Sequence, residues 1–454
     1  IISYNSTMPM WCYSFIFYGV ASFFFFLTIR RQPRFTLFPY TTLFRSFESG
    51  YQQPVTTTPA SRSTALEYLD VIVLAAGLAL AGYFSIRRRS RPALFLLMLA
   101  SLHYFGFWRK GCICPVGSLQ NVTLALLDPG YVIPWTVVLF FVLPLLFSLF
   151  VGRAFCSSIC PLGALQDLFA IKPIQVPAWL ERSLRILPYA YLGLALLFVA
   201  TGSGFIICRF DPFVGFFRRS ASFEMVLFGL IFLGLGTVIA RPYCRFLCPY
   251  GLILSWLSRI SYKNVTITPK ECIQCRLCEQ ACPFGAITAP DATPPDQNRK
   301  RVIGKIVRQL LWLPVVALIG GWLGILLHQP LARMPPTIQL IDTLQQQEAG
   351  VLTVETLESK AFLSSGKSME TLTGEGQAIL KTFKTGSALF GVLLALVIYL
   401  KRVGLSLFRR QTDYVADRRH CLSCGRCFAY CPVEIERRQK QEARSQPQKA
   451  WDWL

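Results

Sequence analysis

The sequence predicts an all-α polytopic membrane protein of about seven spans, with a small cytoplasmic α+β module that a membrane hairpin splits in two. The first observation is composition: 53% of the 454 residues are hydrophobic and only 15% are charged, which is too apolar for soluble domains. The second is that seven apolar stretches approach the roughly 20 residues that a helix needs to cross a bilayer. The third is that two similar cysteine runs flank the last two stretches.

The spans are predicted from length and hydrophobicity alone. They are Leu66–Ile86, Pro92–Trp108, Tyr131–Val151, Ile186–Ile207, Ser222–Ala240, Ile306–Leu327 and Gly386–Leu400. Basic residues at 87–91 place the end of the first span in the cytoplasm, because cytoplasmic loops retain Lys and Arg. Alternating spans then leave the N-terminus and the segment Gln329–Thr385 outside, and both cysteine runs inside. We therefore expect a multi-pass membrane protein whose cysteine runs face the cytoplasm.

Residues 1–46 are set apart from this fold. Thr36–Ser46 reads as the in-frame translation of a widely used sequencing adapter, and such foreign segments are excluded from fold reasoning. The alternative is a real N-terminal helix followed by a basic loop. The net charge of +22 is explained by cytoplasmic loops, so no nucleic-acid partner is predicted.

Two C-x2-C-x2-C-x3-C-P runs carry the strongest chemical signal. Their cysteines are Cys272, Cys275, Cys278 and Cys282 in the first run, and Cys421, Cys424, Cys427 and Cys431 in the second. This spacing is typical of 4Fe-4S ligands, and in two-cluster ferredoxins the fourth cysteine of each run binds the other cluster. The pattern therefore pairs Cys431 with the first three cysteines of the first run, and Cys282 with those of the second. Structural zinc is the alternative, but it usually uses paired ligands with a longer spacer.

These assignments divide the chain into four further parts. Residues 47–260 form a five-span domain and residues 261–305 the first half of a two-cluster ferredoxin-like module. Residues 306–403 form the membrane hairpin with its external loop. Residues 404–454 contain the second ferredoxin half and a polar tail.

A shorter cysteine motif recurs at the predicted ends of spans. Two C-x3-C-P pairs supply Cys156, Cys160, Cys244 and Cys248. A proline in the first helical turn leaves amide groups free to bond a thiolate or a cluster sulfide. Four thiolates suit a third cluster, while packing cysteines or a redox-active dithiol are the alternatives.

Three more cysteines, Cys112, Cys114 and Cys208, fall on the opposite face by the same alternation. His103 and Asp211 are candidate fourth ligands of an outer metal site, although a lone histidine near a span end is more often a hydrogen-bonded interior residue. The sequence has no C-x-x-C-H motif for covalent haem and no glycine-rich dinucleotide or Walker motif. Covalent haem, NAD and ATP chemistry are therefore not indicated.

The C-x3-C-P pairs followed by ferredoxin runs resemble the membrane polyferredoxins grouped as NosR/NirI-like and NapH-like proteins, with CcoG as a more distant relative. The resemblance covers about Phe95–Val433 and extends to the twelve cysteines of those motifs. It implies electron transfer between the quinone pool or the cytoplasm and a periplasmic redox partner. NosR-like members also carry a periplasmic flavin domain. No Ser-Gly-Ala-Thr flavin-attachment motif occurs in this sequence, so a flavin is expected only in a missing N-terminal part.

Two functions are thus compatible with the sequence. The first is a membrane iron-sulfur electron-transfer protein, either a quinol dehydrogenase or the redox subunit of a larger system. The second is an assembly or redox-sensory factor that uses the same clusters without steady turnover. A metal permease is disfavoured because the predicted spans are largely apolar and offer no polar path.

Overall fold

The computed structural model describes residues 63–111, 114–218, 223–267, 272–290, 304, 307–351, 356–405 and 414–445. These residues are mostly helical, with one two-stranded sheet. The adapter-like segment and Cys112 lie outside the described residues.

The predicted five-span domain, residues 47–260, contains thirteen α-helices in its described residues. They are α1 Thr64–Gly82, α2 Arg91–Ser101, α3 Pro115–Leu127, α4 Trp135–Val151, α5 Ala154–Ser158, α6 Pro161–Phe169, α7 Ala178–Leu184, α8 Leu187–Ala200, α9 Ile206–Phe210, α10 Val214–Arg218, α11 Phe223–Val238, α12 Pro242–Phe246 and α13 Pro249–Arg259. Helices α1 and α2 each continue into a π-helical segment, over Tyr83–Arg87 and Leu102–Trp108 respectively.

The remaining described elements belong to the predicted module and hairpin. They are α14 Leu277–Gln280, β1 Ile287–Thr288, α15 Leu313–Leu326, α16 His328–Ala332, α17 Pro336–Glu348, α18 Leu357–Ser364, α19 Met369–Leu405, β2 Val415–Ala416, α20 Arg426–Ala429 and α21 Pro432–Ser445.

Four helical segments of the described residues are long and apolar enough to cross a membrane. They are Thr64–Arg87, Ala178–Ala200, Val307–Leu326 and Met369–Gly404, and the shorter helices Trp135–Val151 and Phe223–Val238 are also apolar. The prediction of a mostly helical chain with several candidate spans is confirmed. The count of seven spans stays a prediction.

Two predicted spans differ in extent from the helices that contain them. The fourth was predicted to continue to Ile207, but α8 ends at Ala200, where the Thr201 hydroxyl bonds the carbonyl of Leu197 at 3.1 Å. The chain then turns through Gly202, whose φ is +66°, a value that glycine adopts without steric cost. The last span was predicted to be short, but it is part of the 37-residue helix α19. Hydrophobicity marked only the apolar half of that helix.

Helices α15 and α19 form a tightly packed hairpin through glycines. A side chain at Gly324 would place its Cβ 2.1 Å from the carbonyl oxygen of Ser387. A Cβ at Gly391 would lie 2.1 Å from the carbonyl oxygen of Gly320. Small residues that let backbones approach closely are typical of helix contacts in membranes. Helices α15 and α19 of the predicted hairpin therefore pack as one helical pair.

The two strands connect residues from either side of this hairpin. Strand β1 pairs antiparallel with β2, with Ile287 opposite Ala416 and Thr288 opposite Val415. The amide of Asp417 extends the pairing by donating to the carbonyl of Ala286 at 2.7 Å. The sequences that follow the first cysteine run and precede the second are thus adjacent in space.

The chain divides into two compact units, described separately. One unit contains residues 355–367 together with residues 1–54, and its described helix is α18. The Thr356 hydroxyl caps this helix by accepting a hydrogen bond from the amide of Ser359 at 3.2 Å, which satisfies one of the free amides of the first turn. All the cysteines discussed below belong to the other unit.

Candidate metal centres

Four cysteines from both runs line one cavity. Cys272, Cys275 and Cys278 of the first run share it with Cys431 of the second. The rest of the lining is mainly apolar and consists of Ile267, Ile273, Arg276, Tyr414 and Val433. We call these four cysteines the first ferredoxin group.

Both cysteine loops have positive φ at the same two positions. The second and fourth residues after the first cysteine have positive φ in each run: Gln274 and Arg276 in one, Ser423 and Gly425 in the other. A left-handed conformation costs a non-glycine residue roughly 1 to 2 kcal/mol. In the second loop the amide of Ser423 points at the sulfur of Cys421, at 3.4 Å. Loops of this shape turn backbone donors toward the sulfur atoms, as a bound anionic centre requires.

The second group combines Cys282 with the first three cysteines of the second run. Burial raises the pKa of Cys421 to about 12, and the nearby thiols of Cys424 and Cys282 add to the effect. Burial also raises the pKa of Cys427 well above its usual range, followed by the charges of Cys421, Cys424 and Cys282. Cys282 itself accepts a hydrogen bond from the amide of Ala286 at 3.4 Å. We call this set the second ferredoxin group.

The four cysteines of the C-x3-C-P pairs form a third set, the inner group. Burial raises the pKa of Cys160 well above its usual range, followed by the charges of Cys244, Cys156 and Cys248. Cys160 and Cys248 directly precede the prolines that begin α6 and α13. The amide of Gly251 donates to the sulfur of Cys248 at 3.3 Å. The prolines thus start helices whose free amides face these thiols.

Polar groups surround the inner group within the core. The amide of Gln166 donates to the sulfur of Cys244 at 3.2 Å. Arg241, which is 1% exposed and has φ +50°, donates to the carbonyls of Cys156 and, at 3.3 Å, Ser157. A positive charge and amide donors stabilise an anionic centre, and hydrogen bonds to sulfur tune the potential of iron-sulfur clusters.

A buried carboxylate holds Arg241 in this position. Asp167 forms ion pairs with Arg241 at 3.0 Å, Arg426 at 3.4 Å and Arg91 at 3.7 Å. Burial alone would raise the pKa of Asp167, but these three guanidinium groups outweigh it and hold the pKa at about 2. Asp167 is therefore ionised at neutral pH.

The same arginines connect the inner group to the second ferredoxin group. Arg426 lies inside the second cysteine run, and Arg91 donates to the carbonyl of Cys424 at 2.9 Å. Arg153, three residues before Cys156, donates to the carbonyl of Arg419 at 3.1 Å. Burial lowers the pKa of Arg91, and the charge of Cys424 opposes that effect. The two groups therefore share one network of charges.

A second ion-pair network ties the first ferredoxin group to the loop after α1. Arg89 pairs with Glu434 at 2.9 Å and donates to the carbonyl of Thr266 at 2.7 Å. Glu434 is 1% exposed and lies three residues after Cys431. Thr266 precedes the first run. Arg89 thus joins the two chain segments that supply this group.

The outer residues are only partly brought together. Burial raises the pKa of Cys114 to about 12, and the charges of Asp211 and Cys208 also raise it. Asp211 is 1% exposed and accepts a hydrogen bond from the amide of Phe213 at 2.9 Å. His103 is exposed, and no described contact joins it to these groups. Cys112 lies outside the described residues.

Within the part of the chain that the structure describes, no three His, Cys, Asp or Glu side chains converge on a single metal ion. This holds for the ferredoxin runs as well as for the inner and outer sets. In a 4Fe-4S cubane each thiolate binds a different iron, so the sulfur atoms stand further apart than around one ion. The thiol-rich, amide-lined groups fit a cluster in their donor chemistry.

The cysteines could be recognised from their spacing, but most of the residues that surround them could not. Arg241, Asp167 and Glu434 have no motif of their own, and their burial depends on contacts between distant segments. Gln166 had a signal, because the repeated unit Cys-Pro-x-Gly-x-Leu-Gln places a glutamine six residues after a cysteine in two motifs.

Known protein families match two parts of the chain. One model described as a 4Fe-4S binding domain matches residues 133–186 and 221–268, and another of the same description matches residues 265–288. These segments contain the inner group and the first cysteine run. No solved structure matches the chain.

Three relatives share part of the chain. NirI of Paracoccus denitrificans is 35% identical over 152 residues, which are 31% of this chain and 22% of NirI. The uncharacterized protein MJ0750 of Methanocaldococcus jannaschii is 30% identical over 191 residues, 40% of this chain and 77% of that protein. The putative electron transport protein YccM of Escherichia coli is 26% identical over 189 residues, 37% of this chain and 52% of YccM.

The fold and these matches define a helical protein with candidate membrane spans and 4Fe-4S binding domains. More particularly, the chain belongs to the ferredoxin-type family of NosR/NirI-like proteins, as the resemblance of its cysteine motifs predicted. It spans about a fifth of NirI and about half of YccM.

Proposed function

We propose that the protein relays electrons through iron-sulfur clusters between the cytoplasm or quinone pool and a periplasmic acceptor. The observation that supports this proposal is that the first ferredoxin group, the second ferredoxin group and the inner group follow one another in space. Cys282 follows the first run and acts electrostatically on Cys427 of the second run, so the two ferredoxin groups are neighbours. Arg91 and Arg426 link the second ferredoxin group to the inner group. Because electron tunnelling falls off steeply with distance, a relay needs its centres close together in this way.

Eight cysteines would hold two 4Fe-4S clusters with exchanged fourth ligands. The cavity shared by Cys431 and the first run supports one half of this exchange. The effect of Cys282 on the pKa values of Cys421 and Cys427 supports the other half. The inner group would hold a third cluster. A bound 4Fe-4S cluster accepts and donates electrons, at a potential that hydrogen bonds and burial tune.

The chain's own residues would prepare the inner group for that role. Gln166 donates to the Cys244 sulfur, and the amide of Gly251 donates to that of Cys248. Arg241 places a buried positive charge beside the thiols, which favours the more negative, reduced state of the group. Asp167 holds that arginine in place and limits the excess positive charge.

The basic residues support an orientation with seven spans and the ferredoxin module in the cytoplasm. Arg89 and Arg91, in the loop predicted to be cytoplasmic, contact Glu434 and the carbonyl of Cys424. Arg153, after the third predicted span, contacts the second half of the module. These contacts support placing the three segments on one side of the membrane. The inner bacterial membrane is the compartment in which such a protein would meet quinol.

The test combines metal analysis with turnover. Protein purified anaerobically in detergent should contain iron and acid-labile sulfide for at least two 4Fe-4S clusters, with EPR signals after dithionite reduction. Zinc in place of iron would refute the proposal. Membranes with and without the protein should also differ in sustained quinol oxidation. Absence of turnover, together with loss of the metal centre of one partner enzyme, would favour an assembly or regulatory role instead.

A further inference from the structure

The outer residues repeat the plan of the inner group. The sequence Cys114-Pro-Val-Gly-Ser-Leu-Gln120 has the same pattern as Cys160-Pro-Leu-Gly-Ala-Leu-Gln166. Cys114, like Cys160, directly precedes a proline that begins a helix, the 13-residue α3 in this case. The segment Cys114–Gln120 of the outer set thus repeats the first motif of the inner group.

The second part is duplicated as well. Cys208-Arg-Phe-Asp211-Pro corresponds to Cys244-Arg-Phe-Leu-Cys248-Pro, apart from one missing residue. In this correspondence Asp211 takes the place of Cys248. Both positions directly precede a proline, and both residues are buried. An ionised carboxylate, like a thiolate, is an anionic metal ligand.

The contacts of the two glutamines match. The side-chain oxygen of Gln166 accepts from the amide of Tyr243, the residue before Cys244, at 3.1 Å. The side-chain oxygen of Gln120 accepts from the amide of Ile207, the residue before Cys208, at 2.9 Å. A backbone amide is a donor, so it fixes which glutamine atom is the oxygen. Each glutamine therefore bridges its own helix to the segment that carries the next cysteine.

The side-chain nitrogen of Gln120 differs from that of Gln166 in its hydrogen bonding. The amide nitrogen of Gln166 donates to the sulfur of Cys244. The corresponding nitrogen of Gln120 is buried, in a residue that is 1% exposed, and has no partner among the described residues. A buried unsatisfied donor costs about 1 to 3 kcal/mol. An anionic centre at Cys208 would satisfy it.

Cys208 and Asp211 are neighbours of Cys114, which in turn is a neighbour of the inner group. The sulfur of Cys208 lies 3.4 Å from the position that a Cβ at Gly117 would occupy, in the first turn of α3. Asp211 and Cys208 act electrostatically on Cys114. Cys114 in turn acts on Cys248 of the inner group.

We propose that Cys114, Cys208 and Asp211 are ligands of an additional iron-sulfur cluster, which is built on the same plan as the inner group and to which Gln120 donates a hydrogen bond. On binding, the two thiols lose their protons to solvent and Asp211 binds as a carboxylate. Three such ligands leave one iron of a cubane for a ligand from outside this set. The assignment selects Asp211, which acts electrostatically on Cys114, and excludes His103, which no described contact joins to these residues. Its role as the exit centre of a relay rests on the proposed function, whereas metal binding does not.

The test measures iron and acid-labile sulfide per chain, with EPR and Mössbauer spectra, in the full chain purified anaerobically. Cys208→Ser and Asp211→Ala should each lose one cluster's share of iron and sulfide and keep the remaining signals. His103→Ala is the matched control and should keep the full content. Asp211→Cys should retain the metal and change the spectrum of one cluster only, and it decides the matter if Asp211→Ala fails to fold.

Gln120 provides a readout beyond metal content. Gln120→Leu should keep the iron and lower the midpoint potential of one cluster, because a donor to the centre is lost. Full iron and unchanged spectra in Cys208→Ser, loss of metal in His103→Ala, or a metal other than iron at the site would each overturn the inference. Wild-type protein without iron would refute the proposed function itself, so the two failures are distinguishable.

Discussion

Replacing Asp167 by asparagine should destabilise the protein strongly. The substitution keeps the size of the side chain but removes its negative charge. Among the described residues, Asp167 is the carboxylate that forms an ion pair with Arg241. Arg241 is 1% exposed, so its positive charge would remain buried without compensation. Breaking a buried ion pair by removing one partner costs about 3 to 5 kcal/mol. That is a large part of the roughly 5 to 15 kcal/mol by which a typical domain is stable.

The lowered pKa of Asp167 shows how much its ionisation contributes to the free energy of unfolding. The pKa of Asp167 falls from the ordinary value of 3.8 to about 2, and a shift of nearly two units corresponds to roughly 2 kcal/mol. Because the folded-state pKa is depressed, this stabilisation is present above about pH 4 and is lost as the pH falls through 2. Protonation removes the same charge as the asparagine substitution does, so the two figures bracket the expected loss of stability at about 2 to 5 kcal/mol.

Thermal unfolding of the purified protein, followed by tryptophan fluorescence, measures the effect. Asp167→Asn should lower the midpoint by several degrees at both pH 7 and pH 5, since both values lie above 3.8. Glu436→Gln is a suitable control, because the described ion pair of Glu436 with Lys440 is exposed and its loss should change nothing measurable. Equal midpoints for Asp167→Asn and wild type would refute the account of this network.

Three further predictions concern ligands, packing and topology. Cys431→Ala should remove the EPR signal of the cluster at Cys272–Cys278 and spare the other ferredoxin cluster; loss of only the second-run cluster would contradict the exchange of ligands. Gly324→Val should separate α15 from α19 and lower the unfolding midpoint, because a Cβ would lie 2.1 Å from a carbonyl oxygen, whereas Gly404→Ala, with open space around it, should have no such effect. Ser364→Cys should react with an impermeant thiol reagent on whole cells, and labelling only after lysis would place that segment inside.

Hydrophobicity and cysteine spacing predicted the main features of the fold. Both are local properties, so the helices and the cysteine motifs could be read directly from the chain. The ends of α8 and α19 could not, because a polar cap at Thr201 and a more polar helical extension do not change the hydrophobic signal of the apolar residues beside them. Six of the seven predicted spans correspond to apolar helices in the described residues, and Pro92–Trp108 corresponds to α2 with its π-helical segment.

The supporting residues of the candidate sites could be predicted only in part. Arginines 87–91 were assigned to orientation by their charge, and that assignment remains a prediction. The structure adds that Arg89 and Arg91 bind segments more than 150 residues away. Long-range pairs of this kind leave no trace in local spacing. Gln120 and Gln166 are different, because they belong to a repeated motif whose meaning became clear from their hydrogen bonds.

Electron transfer across a sealed membrane tests the central claim most directly. Protein reconstituted into liposomes would receive electrons from an impermeant reductant outside, while an impermeant acceptor is trapped inside. We expect the trapped acceptor to be reduced, and reduction to be abolished in Cys156→Ala, whose substitution interrupts the inner group but leaves both ferredoxin groups. Reduction of the protein's clusters without reduction of the trapped acceptor, or equal rates in Cys156→Ala and wild type, would contradict the account.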